Sequence, residues 1–236
     1  LRVAGITRAG EPTIASWYAS GNWQVNVLLY YITDRSQFSG TEERRRKQLL
    51  ERISEAALAG VDYLQLREKD LGARELETLA REAARLIRTT SSTTRLLINS
   101  RIDLALASEA HGVHLTSSDV SPEDVRRVWK HAHGPGEPII AVSCHNSAEI
   151  VAAERARADF VVFGPVFEKS GSKESAKGIV ALREACRVRI PVVAVGGVTL
   201  SNAGEAIEAG AKGIAGIRLF QEGNLKQTVA ELRNLP

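Results

Sequence analysis

A chain of 236 residues, 44% hydrophobic and 25% charged, can bury one sizeable core, and α/β barrels of this length commonly form a single domain. The net charge of +3 is spread along the sequence, and the densest basic run, Arg44 to Lys47, adjoins Glu42 and Glu43 at a helix start. That run reads as a solvated helix face and lends nucleic-acid binding no support.

No apolar stretch approaches the roughly 20 residues that span a bilayer, and no signal-like segment opens the chain, so a soluble protein without membrane contact is expected. Cys144 and Cys186 lie far apart with no CxxC spacing. Neither a zinc site nor a disulfide framework is indicated, and a reducing, cytoplasmic setting fits. Methionine is absent even from position 1, as expected of a truncated chain.

Residues 1–27, with Trp17 and Trp23, lack clear periodicity and read as an N-terminal extension. Beyond it, short apolar runs alternate with helical spacing. Leu28–Thr33 reads as a strand, Glu43–Ala59 as a helix, Tyr63–Arg67 as a strand and Arg74–Arg88 as a helix. Strand Leu96–Asn99 precedes a short helix over Asp103–Ser108, and strand Gly112–Leu115 precedes helix Pro122–Trp129. Ser121-Pro122 supplies an N-cap with proline at the first helical position. Strand Ile139–Ser143 follows, and Asn146 or Ser147 caps helix Ser147–Arg157. Strand Phe160–Phe163, helix Val180–Cys186, strand Val192–Val195, helix Asn202–Ala209, strand Gly213–Ile217 and helix Leu225–Leu235 complete the series. Eight strand–helix units without a composition break predict an α/β fold, a closed (β/α)8 TIM barrel over residues 28–236. Function in that fold sits on the loops after the strands.

The second strand ends in Gln65-Leu66-Arg67-Glu68-Lys69-Asp70. Alternation puts Gln65 and Arg67 on one face with Lys69 following, so an amide and two cations can meet an anion at the barrel mouth. The competing reading is an exposed loop whose cations pair locally with Glu68 and Asp70. Asn99, at the third strand end, can hydrogen-bond a ligand, whereas Asp103 reads as a first-turn helix residue. The fourth strand supplies His114 and then Asp119. A carboxylate near cations suits Mg²⁺, which takes one or two carboxylates and leaves the rest of its shell to phosphate and water, although Asp119 alone also fits a turn.

Ser143-Cys144-His145 ends the fifth strand. Adjacent strand residues face opposite sides, so Cys144 and His145 do not form a nucleophile–base pair, and Cys144 reads as structural with His145 as a substrate contact. The loop after the sixth strand carries Lys169, Ser170, Ser172 and Lys173, a composition that can close over phosphate or serve as a hydrophilic linker. Gly196-Gly197 after the seventh strand allows close backbone approach. With Ile217 and Arg218 after the eighth, it marks a phosphate site, since barrels often bind phosphate there.

The phrases YYITDR, VDYLQLREKD, LLINSRIDLAL, HGVHLTSSD, AVSCHN, ADFVVFGPVF, PVVAVGGVT and AGAKGIAGI, in this order, resemble the thiamine phosphate synthase family and its relatives the thiazole tautomerases. The resemblance implies a (β/α)8 barrel that joins hydroxymethylpyrimidine diphosphate to a thiazole phosphate with loss of diphosphate. It implies that Gln65, Arg67 and Lys69 bind diphosphate, that Asn99 serves the pyrimidine and diphosphate site, and that Asp119 holds Mg²⁺. Ser143 would contact substrate, with Gly197 and the Ile217–Arg218 backbone holding the thiazole phosphate. The partners so implied are small phosphorylated molecules, with a homo-oligomer left open.

Two positions depart from the synthase pattern. Asn99-Ser100-Arg101 stands where synthases usually read Asn-Asp-Arg, which removes a second magnesium carboxylate. Residues 168–173 match the usual Pro-Thr-x-Thr/Ser-Lys loop only approximately. Tautomerases also lack that carboxylate, but they usually carry His where this chain has Pro165 and tend to lose the lysine at Lys69. Lys69 and Asp119 favour the synthase, with a tautomerase or a non-catalytic binder of a thiamine precursor or partner protein as the alternatives.

Overall fold

The computed structural model describes residues 27–91, 93–168 and 175–235. The expected N-terminal extension therefore lies, apart from Val27, outside the described residues. Eight strands, β1 (Leu28–Ile32), β2 (Tyr63–Leu66), β3 (Arg95–Asn99), β4 (Gly112–Leu115), β5 (Ile139–Cys144), β6 (Phe160–Phe163), β7 (Val192–Ala194) and β8 (Gly213–Gly216), form one closed barrel in sequence order. Every neighbouring pair is parallel, and the closing pair joins β8 to β1 with Ala215 opposite Tyr30. The expected barrel is present, with strand limits shifted by at most one residue.

The connecting helices are α1 (Glu42–Ala59), α2 (Ala73–Thr90), α3 (Ile102–Ala107), α4 (Pro122–His131), α5 (Ser147–Arg155), α6 (Gly178–Ala185) and α7 (Ala203–Glu208). A four-residue α8 (Arg218–Gln221) follows β8, and α9 (Leu225–Arg233) ends the chain's described course. Local chemistry sets several starts. Ser121 Oγ accepts the Asp124 N–H with Pro122 at the first helical position, and Asn146, rather than Ser147, caps α5 by accepting the Glu149 N–H. α1 ends at Gly60, whose φ of 85° is left-handed and costs glycine little.

Alternation along the strands separates two apolar regions. Residues such as Leu29, Leu64, Ile98, Val113 and Val161 pack outward under the helices. Tyr30, Tyr63, Leu97, Ala141, Phe160, Val162, Val193 and Ala215 fill the barrel interior. Within it Tyr63 and Phe160 have ring centroids 4.9 Å apart, and Tyr30 meets Phe160 edge-on at 5.6 Å. This aromatic plug makes the interior a packed floor, so ligand chemistry is confined to the rim above it.

Phe160 is fully buried against both tyrosines, and nothing of similar volume can collapse into its place. Phe160→Ala is expected to cost about 3–5 kcal/mol of stability, read as a lowered urea midpoint at unchanged slope. An unchanged midpoint would mean that the aromatic plug does not support the barrel.

Candidate active site

Parallel closure brings all eight strand C-termini to one rim. Just below it, a hydrogen-bonded row crosses the interior from β2 to β5. Gln65 Nε2 donates to Tyr30 Oη at 3.2 Å, Tyr30 Oη lies 2.8 Å from His114 Nδ1, and His114 Nε2 lies 2.7 Å from Ser143 Oγ. Burial raises the Tyr30 hydroxyl far above its ordinary value, so it keeps its proton. Burial, with the Arg67 charge adding to it, pushes His114 down to about 3 and keeps the imidazole neutral.

One direction of donation runs along the whole row. Gln65 donates to Tyr30, Tyr30 to Nδ1, and the Nε2 proton to Ser143. The Ser143 hydroxyl proton is then free for a ligand. Tyr30 and the ordering of Ser143 by His114 were not anticipated from sequence. Their signal was only that residues 30, 65, 114 and 143 all fall on inward strand positions.

Asp119, half-buried at the end of the β4 turn, accepts the Thr116 N–H and the Ser100 hydroxyl, each at 2.7 Å. Burial pushes its carboxyl up, but these hydrogen bonds outweigh that and hold it below the ordinary carboxylate range. Ser100 itself is left-handed, with φ of 56°, and Asn99 Nδ2 lies 3.4 Å from its hydroxyl. Asp119 thus closes a turn and keeps an ionised carboxylate at the rim. Among the described residues no group of three or more His, Cys, Asp or Glu side chains forms a metal cluster. One carboxylate beside one hydroxyl is a hard oxygen pair, which fits Mg²⁺ only if phosphate and water complete its shell.

The local pairing considered for Arg67 and Lys69 is corrected by the structure. Glu68 and Asp70 instead grip Arg35, a residue that sequence reading passed over although it lies in the YYITDR phrase. Arg35 Nη1 is 3.1 Å from Glu68 Oε2, and the guanidinium makes a bidentate pair with Asp70 at 2.7 and 2.8 Å. The Asp70 contact raises Arg35 further above its ordinary value, against the effect of burial. Among the described residues neither Arg67 nor Lys69 has an ion-pair partner. Arg67 is half-buried at the end of β2, and its charge acts to lower both His114 and Asp34.

Gly196 and Gly197 have a protein neighbour that sequence reading did not anticipate. A Cβ at Gly196 would stand 2.5 Å from Pro165 Cβ, and one at Gly197 would stand 2.5 Å from the Phe167 carbonyl oxygen. The glycines thus admit the chain leaving β6, with Phe167 N–H donating to Gly196 O at 3.0 Å. Their φ values of 91° and 65° require glycine independently.

Ile217 starts α8, Arg218 is exposed beside it, and Gln221 bonds the Asp34 backbone in both directions at 2.9 Å. His145 is exposed, with Nδ1 2.8 Å from the Gly164 carbonyl oxygen. Cys144 is buried under the helices, and burial pushes its thiol up to about 12, as suits a structural residue. Lys169, Ser170, Ser172 and Lys173 lie outside the described residues. A shallow groove of about 520 Å³ between α1 and α2 is lined by both charge signs, including Glu43, Lys47 and Arg85, and does not reach the strand ends.

Cations, amides, hydroxyls and carboxylates on the C-terminal rim of a (β/α)8 barrel define a barrel enzyme, since that rim is where this fold carries its chemistry. Residues 29–220 match the family described as thiamine monophosphate synthase. A putative thiamine-phosphate synthase 2 of Aquifex aeolicus is 39% identical over 82% of this chain and 97% of its own length. A thiamine-phosphate synthase of Clostridium novyi is 36% identical over 81% and 89%. Among solved structures, the thiamine phosphate pyrophosphorylase of Pyrococcus furiosus superposes with a TM-score of 0.72 at 30% identity, covering 89% of this chain and 96% of that one. The chain belongs to the thiamine monophosphate synthase family.

Neutral burial of His114 has a pH signature. The unfolded imidazole titrates near 6.5 and the folded one near 3, so between these values the unfolded chain binds the extra proton. Stability from this group is full above about 6.5 and falls as pH drops through the window, by up to about 1.4 kcal/mol per pH unit. The stability of the wild type should fall more steeply between pH 6 and 4 than that of His114→Gln, measured by thermal melts. Parallel profiles would mean that His114 is not held neutral.

Proposed function

We propose that this chain condenses hydroxymethylpyrimidine diphosphate with a thiazole phosphate, giving thiamine phosphate and diphosphate. The observation that carries the reading is the pair of cations without carboxylate partners among the described residues, Arg67 and Lys69, on a rim that also presents Asn99, Asp119 and Ser143 from the next three strands. Its relatives' names and the family match support the same reaction class.

The bond between the pyrimidine methylene carbon and the diphosphate oxygen breaks with its electron pair leaving on oxygen. The pyrimidine ring stabilises the resulting cation, and the thiazole nitrogen lone pair forms the new C–N bond. Such a reaction needs no side-chain nucleophile, and among the described residues no triad is present at the rim. Arg67 and Lys69 would stabilise the charge gathering on diphosphate, with Gln65 at the floor of that side and Asn99 donating its amide.

Ser143, ordered by neutral His114, would donate its hydroxyl proton to a pyrimidine acceptor. Exclusion of water falls to the packed aromatic floor beneath. The backbone near Gly197, Ile217 and Arg218 would hold the thiazole phosphate, with Lys169, Ser170, Ser172, Lys173 and His145 as further substrate contacts. Asp119, with the Ser100 hydroxyl beside it, would hold Mg²⁺. When bound, that ion neutralises departing diphosphate.

The test is an assay of thiamine phosphate and released diphosphate with and without Mg²⁺. Magnesium-dependent product is expected, and Lys69→Ala should lower kcat/KM by about 10²-fold or more. No product from a folded protein that still binds thiazole phosphate would replace this reading with a tautomerase or a non-catalytic binder. The left-handed backbone at Ser100 tolerates aspartate. Ser100→Asp should therefore restore a second carboxylate, lowering the Mg²⁺ needed for half-maximal rate and raising turnover at limiting metal. Unchanged metal dependence would rule out a weakened magnesium site.

A further inference from the structure

Two carboxylates in a segment built to receive an anion are electrostatically unfavourable, because each repels the ligand its neighbours attract. Glu68 and Asp70 flank Lys69 in this way, and Glu68 follows Arg67 directly. Their contacts give them another role.

Glu68 is buried and holds three groups of the loop after β1. It accepts the Thr33 hydroxyl at 2.6 Å, the Arg35 backbone N–H at 3.0 Å, and Arg35 Nη1 at 3.1 Å. Thr33 Oγ1 in turn accepts the Arg67 N–H at 3.0 Å, so the backbone on the near side of Glu68 is fixed as well. On the far side Asp70 grips the same guanidinium with both oxygens, and a turn closes between them through Leu71 N–H and Glu68 O at 3.3 Å. Glu42, at the start of α1, accepts Arg35 Nε at 2.5 Å and ties the clamp to the outer layer.

The chain from 67 to 70 is thus wrapped around one buried guanidinium, which occupies both carboxylates. Lys69 is left exposed between two anchored neighbours. Arg67 is held by its backbone with its side chain unpaired among the described residues.

We propose that Arg35, with Glu68 and Asp70, is a positioning device for the diphosphate-binding cations: it fixes Arg67 and Lys69 at the rim and prevents the carboxylates from neutralising them. This rests on the synthase reading above. Arg35 touches no substrate in this scheme and acts through Lys69 and Arg67.

Asp70 makes the proposal testable by sign. Its side chain is 70% exposed, so Asp70→Asn leaves the buried part of the clamp and the fold intact. If Asp70 were merely a nearby charge, its loss would tighten diphosphate binding. As a positioning residue its loss should weaken inorganic diphosphate binding, measured by calorimetry with Mg²⁺, by about five- to ten-fold, since small misplacements at such sites are costly. KM for pyrimidine diphosphate should rise in step, with KM for thiazole phosphate unchanged.

Arg35→Met should show the same split more strongly. Arg35→Lys should not restore it, because an ammonium cannot hold two carboxylates in one plane. On a Lys69→Ala background Asp70→Asn should cause little further loss, the mark of action through Lys69.

Tighter or unchanged diphosphate binding in Asp70→Asn, an equal loss for both substrates, or full additivity with Lys69→Ala would each overturn the proposal while leaving the synthase reading in place. A wild-type protein that binds no diphosphate would remove both.

Discussion

Closure of eight parallel strands into one sheet is the constraint from which the rest of this molecule follows. Closure leaves no strand edge and fixes which residues face inward. It also carries every strand C-terminus to a single rim, so side chains more than a hundred residues apart become neighbours. Tyr30 and His114, 84 residues apart, share a hydrogen bond only because β1 and β4 look into the same interior. The outward faces pack under the helices, and the inward faces alone remain available for chemistry.

Polarity rises along that interior. Tyr63 and Phe160 pack in its apolar part; above them Gln65, Tyr30, His114 and Ser143 form one satisfied row; above that come the charged rim residues. The order is physically required, since polar groups under the aromatic plug would lack partners. It also gives the row its function. A neutral imidazole between two hydroxyls transmits direction rather than charge, and it ends on Ser143 at the edge of the site.

Charge at the rim is apportioned rather than balanced. Asp119 is engaged by Ser100 and Thr116, and Glu68 and Asp70 are engaged by Arg35. Arg67 and Lys69 at the second strand end are left without an ion-pair partner among the described residues, beside the hydrogen-bonded carboxylate of Asp119. That asymmetry suits an anionic ligand. The Ser100 hydroxyl gives Asp119 a hydrogen bond, where a second anion at that position would require a cation between them.

The sequence by itself determined the barrel, because apolar runs bounded by turn and cap residues recur eight times and each follows from local rules. It determined the rim positions too, since a residue ending a strand of such a barrel lies at the mouth. It missed α8, whose four residues are too few to show a period, and it did not anticipate that the chain leaving β6 packs against Gly196 and Gly197. Pairing was beyond it. Which partner Glu68, Asp70 or His114 takes depends on Arg35 and Tyr30, which arrive from β1 and its loop across long stretches of chain. Local spacing encodes periodicity and capping within a few residues, whereas partner choice is settled by closure of the sheet, and only the tertiary structure could decide it.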